Sequence, residues 1–370
     1  MGSPDRTTGV KISKGTGMKP IRIIATAGLA LASATLFLMA QPARAEAADD
    51  GGAGRVERFP YSGPPPAASA VPADKLYEYQ VYIPPTHKRS KKWPLVVYVH
   101  ACGTSADRMR LAGAMSPIAD SEGFLVMYPD NGANCWRALG DEPTSVHRGA
   151  GGDADIIAFM TREAMAKYNV DPTRVYIFGA SGGGFMTSAT VAAYPDLFAA
   201  AGVMAGGGTA MTAACMGFPE RDDPAFAKTM VDRMGKHRRV VPFISYGGTA
   251  DPLGEKSPVG GCARRAFVQT MGANNIVNPL QGGDRYTPDL AATVNGQVPG
   301  GRSWVKHVWR DAAGCLVGER WVVNGMGHDV GGGHPEHSDV KAPNSSKAAW
   351  EFFRRFRKTD TGGTCTESRK

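Results

Sequence analysis

The sequence predicts an α/β fold, a mostly parallel central sheet with helices on both faces, and two observations carry that prediction. Apolar runs rich in β-branched and aromatic residues, at 94–100, 124–128, 175–178, 198–204 and 241–246, alternate with stretches of helical spacing. A run that is apolar at every position reads as a strand covered on both faces, which is the mark of parallel pairing beneath helices. The second observation is the stretch 175–185, V-Y-I-F-G-A-S-G-G-G-F. A strand-like run stops at Gly179, and a helix-compatible run to Tyr194 starts immediately after Ser181. This strand, tight turn and helix is the context that a G-x-S-x-G nucleophile elbow requires. A chain of 370 residues without internal repeats is long enough for one large domain of this kind.

Taken in order, residues 1–17 form an upstream segment before Met18. Lys19 and Arg22 precede an apolar run at 23–40, and Ala43-Arg44-Ala45 makes an A-x-A cleavage site, so 18–45 reads as a secretory signal peptide. A membrane anchor is the alternative for an apolar run of this length. Residues 46–75, rich in Gly, Pro and Ala, read as a flexible lead-in, and the catalytic domain is expected over 76–370. Residues 77–83 alternate as an edge strand would, 94–100 suit a buried strand, 106–121 a helix and 124–128 another strand. Residues 131–152 are irregular, a loop length usually reserved for function. A helix follows at 153–168, with Asp153 and Asp155 at its dipole-favoured start. The section 254–301 reads as long loops with a short helix near 264–271. Residues 304–309 and 319–323 flank a turn at 311–314 as a hairpin, and 347–357 closes the domain as a helix with one aromatic face.

The net charge of +8 falls to +3 once the six basic residues and Asp5 of 1–45 are set aside, too little to argue for nucleic acid. The basic runs 236–239 and 354–358 read as solvated faces. All six cysteines (Cys102, Cys135, Cys215, Cys262, Cys315 and Cys365) lie beyond the leader, so three disulfides are the simplest expectation for an exported chain. No C-x-x-C pair is present, which disfavours a zinc ribbon or a thioredoxin-type site.

A serine hydroxyl needs a base within hydrogen-bond reach and a third group to orient that base. In hydrolases of this architecture the order is Ser, Asp or Glu, then His. Asp251 follows the run 241–246 through Gly247-Gly248-Thr249-Ala250, just past the C-terminal end of a strand, where open α/β sheets build their sites. His328 stands in N-G-M-G-H directly after the run 319–323. Catalytic Ser181, Asp251 and His328 are the expected set. His334 and His337 are rival bases and could sketch a metal site with Asp329, but their spacing matches no strong ligand motif, and neither metal nor cofactor is expected. His100, ending a central strand, reads as a packed histidine. The oxyanion donors expected from this architecture are the backbone N–H of Gly182, after the nucleophile, and that of Cys102, in the loop after an early strand. Trp136 is the candidate aromatic wall for substrate.

Together the motifs V-Y-V-H-A-C-G (97–103), N-C-W (134–136), G-G-D (151–153), D-P-T-R-V-Y-I-F-G-A-S-G-G-G (171–184), Y-P-D-L-F-A-A (194–200), G-G-T-A-D (247–251) and G-M-G-H (325–328) are similar to those of the secreted polyhydroxybutyrate depolymerase catalytic domain. That grouping includes feruloyl and acetylxylan esterases. The chain departs from the family's usual pattern with Ala101 in place of Gly before Cys102 and with Gly182 in place of Ala after the serine. The resemblance implies a single-domain α/β-hydrolase fold, Ser181 as nucleophile with Asp251 and His328 as partners, Cys102 and Gly182 at the oxyanion hole, and a Cys102–Cys135 disulfide. It implies a secreted or periplasmic serine esterase acting on an ester, an insoluble polymer among the candidates, with neither a nucleic acid partner nor a lasting membrane anchor. Plant aromatic esters, an exported polyamide, or non-catalytic polymer binding are the alternative readings. Oligomeric state and the pairing of the other four cysteines stay open.

Overall fold

Strands β4 (Trp93–Val99) and β6 (Val170–Ala180) lie side by side in parallel at the middle of the sheet, each with an apolar run that reaches its C-terminal end. The computed structural model describes residues 44–47, 50–67, 77–132, 134–138, 143–210, 224–253, 261–278, 290–311 and 313–358. Around this pair the described residues form one sheet with β1 (Arg44–Ala47), β2 (Arg55–Pro60), β3 (Glu78–Ile83), β5 (Leu125–Asp130), β7 (Ala200–Met204), β8 (Phe243–Gly248), β9 (Leu290–Gln297), β10 (Ser303–Arg310) and β11 (Leu316–Val323). The order across it is β1-β2-β3-β5-β4-β6-β7-β8-β11-β10-β9. From β5 to β11 every neighbouring pair is parallel, and the flanking β1-β2-β3 and β10-β9 ribbons pair antiparallel.

Alternation along the strands divides the core between two faces. Leu95, Val97 and Val99 of β4 pack with α4 (Asp153–Lys167), α5 (Gly182–Ala193), α6 (Pro224–Met234) and α7 (Cys262–Val277) through Ile156, Met186, Met230 and Phe267. Val96 and Tyr98 pack on the other face with α1 (Ala106–Gly113), α2 (Ser116–Glu122) and α8 (Ser345–Phe353) through Met109, Ala119 and Phe353. A further short helix, α3 (Pro143–Val146), precedes α4. The α/β fold with covered faces is therefore as the sequence indicates.

Strand order reverses at the centre. The chain passes from β4 outward to β5 and then returns to place β6 on the opposite side of β4. Such a reversal leaves a crevice at the C-terminal ends of the two strands, the usual ligand position in open α/β sheets.

Three expectations are corrected. The lead-in at 46–75 contains an ordered strand: β2 pairs with β3 over Arg55–Pro60, buries Val56, stacks Phe59 on Tyr79 at 5.1 Å and pairs Arg58 with Asp107 at 2.7 Å. Its alternating residues were hidden by Gly and Pro on either side. The section 254–301 holds a sixteen-residue helix, α7, and the edge strand β9. Asn274 and Gln269 break the apolar pattern of α7 yet are buried, because Asn274 exchanges two 2.8 Å hydrogen bonds with the backbone of Val241 and Gln269 donates to the carbonyls of Thr209 and Phe226. The helix expected at 106–121 is split, since Ala114 adopts a left-handed φ of 42° and caps α1 before α2 begins.

The leader expected at 18–45 lies outside the described residues except for Arg44 and Ala45, which sit in β1 opposite Arg58 and Glu57. Among the described residues no helix is long and apolar enough to cross a membrane.

Candidate active site

Four strand ends supply the site: β4 leads to Cys102, β6 to Ser181, β8 to Asp251 and β11 to His328. Ser181 takes φ 52° and ψ −119°, a sparsely populated conformation for a non-glycine residue that presents its side chain at the start of α5. Its own N–H donates to the Met204 carbonyl at 2.9 Å, and its carbonyl accepts from Gly184 and Phe185. The turn fits only because glycines follow it. A Cβ at Gly183 would stand 2.3 Å from the His100 carbonyl oxygen, and one at Gly182 would stand 2.2 Å from Cys102 Sγ.

Closeness to Cys102 is the second feature of the elbow. Cys102 is disulfide-bonded to Cys135, as the resemblance implied. The turn before it is closed by Thr104, whose N–H and hydroxyl both donate to the Ala101 carbonyl. The position of a Cβ on Gly182 lies 3.3 Å from the backbone nitrogen of Cys102, so the two N–H groups expected to act as a pair are neighbours. Gly182 opens α5 and has no acceptor within the helix. Among the described residues no acceptor takes the Cys102 N–H.

On the other side, His328 bridges the set. Its Nε2 lies 2.8 Å from Ser181 Oγ and its Nδ1 lies 3.0 Å from each carboxylate oxygen of Asp251. Asp251 is 2% exposed, and its Oδ1 also accepts from the Leu253 N–H at 2.8 Å. The two loops are laced together: Thr249 N–H donates to Val323 O, Ala250 N–H to Met326 O, and Gly325 N–H to Thr249 Oγ1, all at 2.9–3.0 Å. The Asp251 hydrogen bond holds the His328 pKa above the ordinary histidine value, against the opposing pull of partial burial, with smaller help from the charges of Asp251 and Asp329.

A cavity of about 270 Å³ opens at these residues. Its walls are aliphatic and thioether side chains (Met109, Ala112, Ala180, Met204, Ala205 and Val330), and its polar edge carries Thr104, Arg108, Asp329 and His337.

Trp136 does not line this cavity, contrary to the expectation. It is 2% exposed, lies tilted against the His100 ring with centroids 4.9 Å apart and donates its indole N–H to the His100 carbonyl, so the ring supports the end of β4. His100 is buried as expected, and burial holds its pKa below the ordinary value. Asp153 ties this loop to α4, accepting from the Arg137 N–H and from the Tyr77 hydroxyl. Of the other cysteines, Cys262 and Cys315 are disulfide-bonded, while Cys215 and Cys365 lie outside the described residues.

His334 and His337 come together with Glu336, rather than Asp329, as three groups able to approach one metal ion, their ligand atoms within 4.8 Å of one another. Arg108 and Met109 carry no local sequence signal of function. Only the packing of α1 beside β4 and β5 brings them to the cavity.

Residues 77–231 match the model of the family described as Esterase PHB depolymerase. The chain is 32% identical to poly(3-hydroxyalkanoate) depolymerase C of Paucimonas lemoignei over 64% of this chain and 54% of that protein. It is 38% identical to feruloyl esterase B of Neurospora crassa over 34% of this chain and 42% of that protein. It thus spans about half the length of these curated relatives. An acetyl xylan esterase from Aspergillus awamori shares the fold, with a TM-score of 0.57 and 19% identity over 75% of this chain and 94% of that one.

Proposed function

We propose that this protein, whose residues 77–231 match the model of the esterase PHB depolymerase family, is a secreted serine esterase acting on aliphatic polyesters of the hydroxyalkanoate kind or on their oligomers. Ser181 Oγ attacks the ester carbonyl carbon while His328 Nε2 takes the hydroxyl proton. Asp251 holds the imidazole in the tautomer with its proton on Nδ1 and stabilises the imidazolium that forms. The oxyanion faces the N–H groups of Cys102 and Gly182, each donor being worth on the order of 3 kcal/mol of barrier. His328 then protonates the departing alcohol. Water, deprotonated in turn by His328, attacks the acyl-serine and releases the acid.

The observation that carries this reading is the continuous Asp251–His328–Ser181 hydrogen-bond chain at 3.0 and 2.8 Å, with its serine on a strained elbow. Supporting the choice of substrate is the lining of the cavity, which among the described residues is methionine, alanine and valine rather than phenylalanine, tyrosine or tryptophan and suits an aliphatic acyl unit. Feruloyl or acetyl esters of plant polysaccharide are the second reading, favoured by the 38% identity to feruloyl esterase B.

Ser181→Ala abolishes turnover of a short p-nitrophenyl ester while leaving the circular dichroism spectrum unchanged; turnover that survives overturns the assignment. Comparison of polyhydroxybutyrate film with a feruloylated sugar then decides between the two substrate readings.

A further inference from the structure

Arg108 and His337 meet at the edge of the cavity that holds Ser181, their Nη1 and Nδ1 atoms 2.6 Å apart. A guanidinium only donates hydrogen bonds, so Nδ1 of His337 is the acceptor, and the neutral ring carries its proton on Nε2. The Glu336 carbonyl, 2.8 Å from the same Nδ1, receives no hydrogen in this tautomer. His334 is engaged in the same sense, its Nδ1 accepting the Glu336 N–H at 3.3 Å. In both rings the remaining nitrogen, Nε2, therefore carries an N–H rather than a lone pair, which suits an anion and works against metal ligation by the cluster.

The charge balance at this edge points the same way. Among the described residues no carboxylate forms an ion pair with Arg108, whereas its helix neighbours Asp107 and Arg110 are both paired. Asp329, the acidic group of the cavity wall, accepts from the Val330 N–H and raises the pKa of His328 through its charge, so it serves the His328 side. The cavity thus runs from a nucleophile through an apolar middle to the Arg108 guanidinium, which among the described residues contacts His337 and no carboxylate, the exposed Glu336 carboxylate approaching the His337 ring instead.

We propose that Arg108, supported by His337, forms a subsite for a carboxylate on the substrate, so that the enzyme prefers short oligoesters ending in a free acid over neutral esters of the same shape. This inference rests on the esterase reading and narrows its substrate class. A guanidinium offers paired donors in the geometry of a carboxylate, and the apolar walls between it and Ser181 match the aliphatic part of a hydroxy-acid unit.

The test uses the dimer of 3-hydroxybutyrate as the free acid and as its methyl ester. For the wild-type enzyme the KM of the acid is about tenfold or more below that of the methyl ester, and raising the salt concentration narrows the gap, as expected of a charge contact open to water. In Arg108→Gln the ratio collapses towards one, and in Arg108→Lys, which keeps the charge without the fork, it is partly restored. In a Ser181→Ala background, calorimetry shows the free acid binding and the same Arg108→Gln change weakening it about tenfold, a readout independent of turnover. Equal KM values for the two wild-type substrates, or an equal change for both in Arg108→Gln, overturn the subsite. Absence of turnover of every ester by the wild type would instead remove the esterase reading beneath it.

Discussion

Ser181 and His328 meet at 2.8 Å, yet they reach that contact by different means. The serine is held by the backbone: a left-handed φ, glycines pressed against the end of β4, and a disulfide at Cys102 set against Gly182. His328 and Asp251 are held by hydrogen bonds, three that lace the β8 and β11 loops and two that orient the ring. Close packing without a Cβ tolerates little change and its failure is felt in folding. A hydrogen-bonded pair tolerates isosteric change in shape, and its failure is felt in the protonation state. The two halves of the site should therefore fail differently, one in stability and the other in chemistry.

Asp251→Asn puts the second half to the largest test. An amide in place of the carboxylate keeps the volume but donates to Nδ1, leaving Nε2 protonated and unable to act as base, so kcat falls about 10⁴-fold, roughly 5 kcal/mol of barrier. Steady-state kinetics on a p-nitrophenyl ester measures this. A loss under tenfold would mean that Asp251 is not the orienting group.

The paired change Cys102→Ser and Cys135→Ser tests the first half. The bridge joins residues 33 apart, and its removal costs about 3–4 kcal/mol in the loop-closure account, seen by denaturant melting. The Cys102 N–H survives the substitution, so the kcat loss should be far smaller than that of Asp251→Asn. The reverse pattern, intact stability with lost kcat, would break the comparison.

The elbow was legible in the sequence because its physics is local: an apolar strand, small residues around Ser181, and a helix within a dozen positions. Asp251 and His328 were legible because each follows a strand by a few small residues, at the end where parallel sheets place their sites. What stayed hidden depends on distant partners. Asn274 reads as a break in α7 until the backbone of Val241 is there to satisfy it, and β2 reads as lead-in until β3 pairs with it. Trp136 misled for the same reason, since an aromatic beside a loop cysteine can face substrate or core, and only the His100 carbonyl and ring decide for the core. Arg108 carries no local signal on its helix, and its place beside His337 depends on a contact 229 residues away.

The smallest effect expected is in pH dependence, where activity and stability should move in opposite directions. His328 has its pKa raised above 6.5 chiefly by the Asp251 hydrogen bond. Only the neutral ring accepts the serine proton, so the acid limb of kcat/KM should have its midpoint above 6.5. Because the folded pKa is raised, the stability contributed by this pair is fully present below the unfolded value near 6.5 and is lost as pH rises through the folded one. His328 is partly open to water, which screens the pair, so the change in melting temperature across that window is slight. In Asp251→Asn the leading cause is gone and burial remains, so the midpoint of the residual activity drops. An acid limb centred at or below 6.5 in the wild type, or one unmoved in the variant, would show that the Asp251 hydrogen bond does not set the protonation of His328.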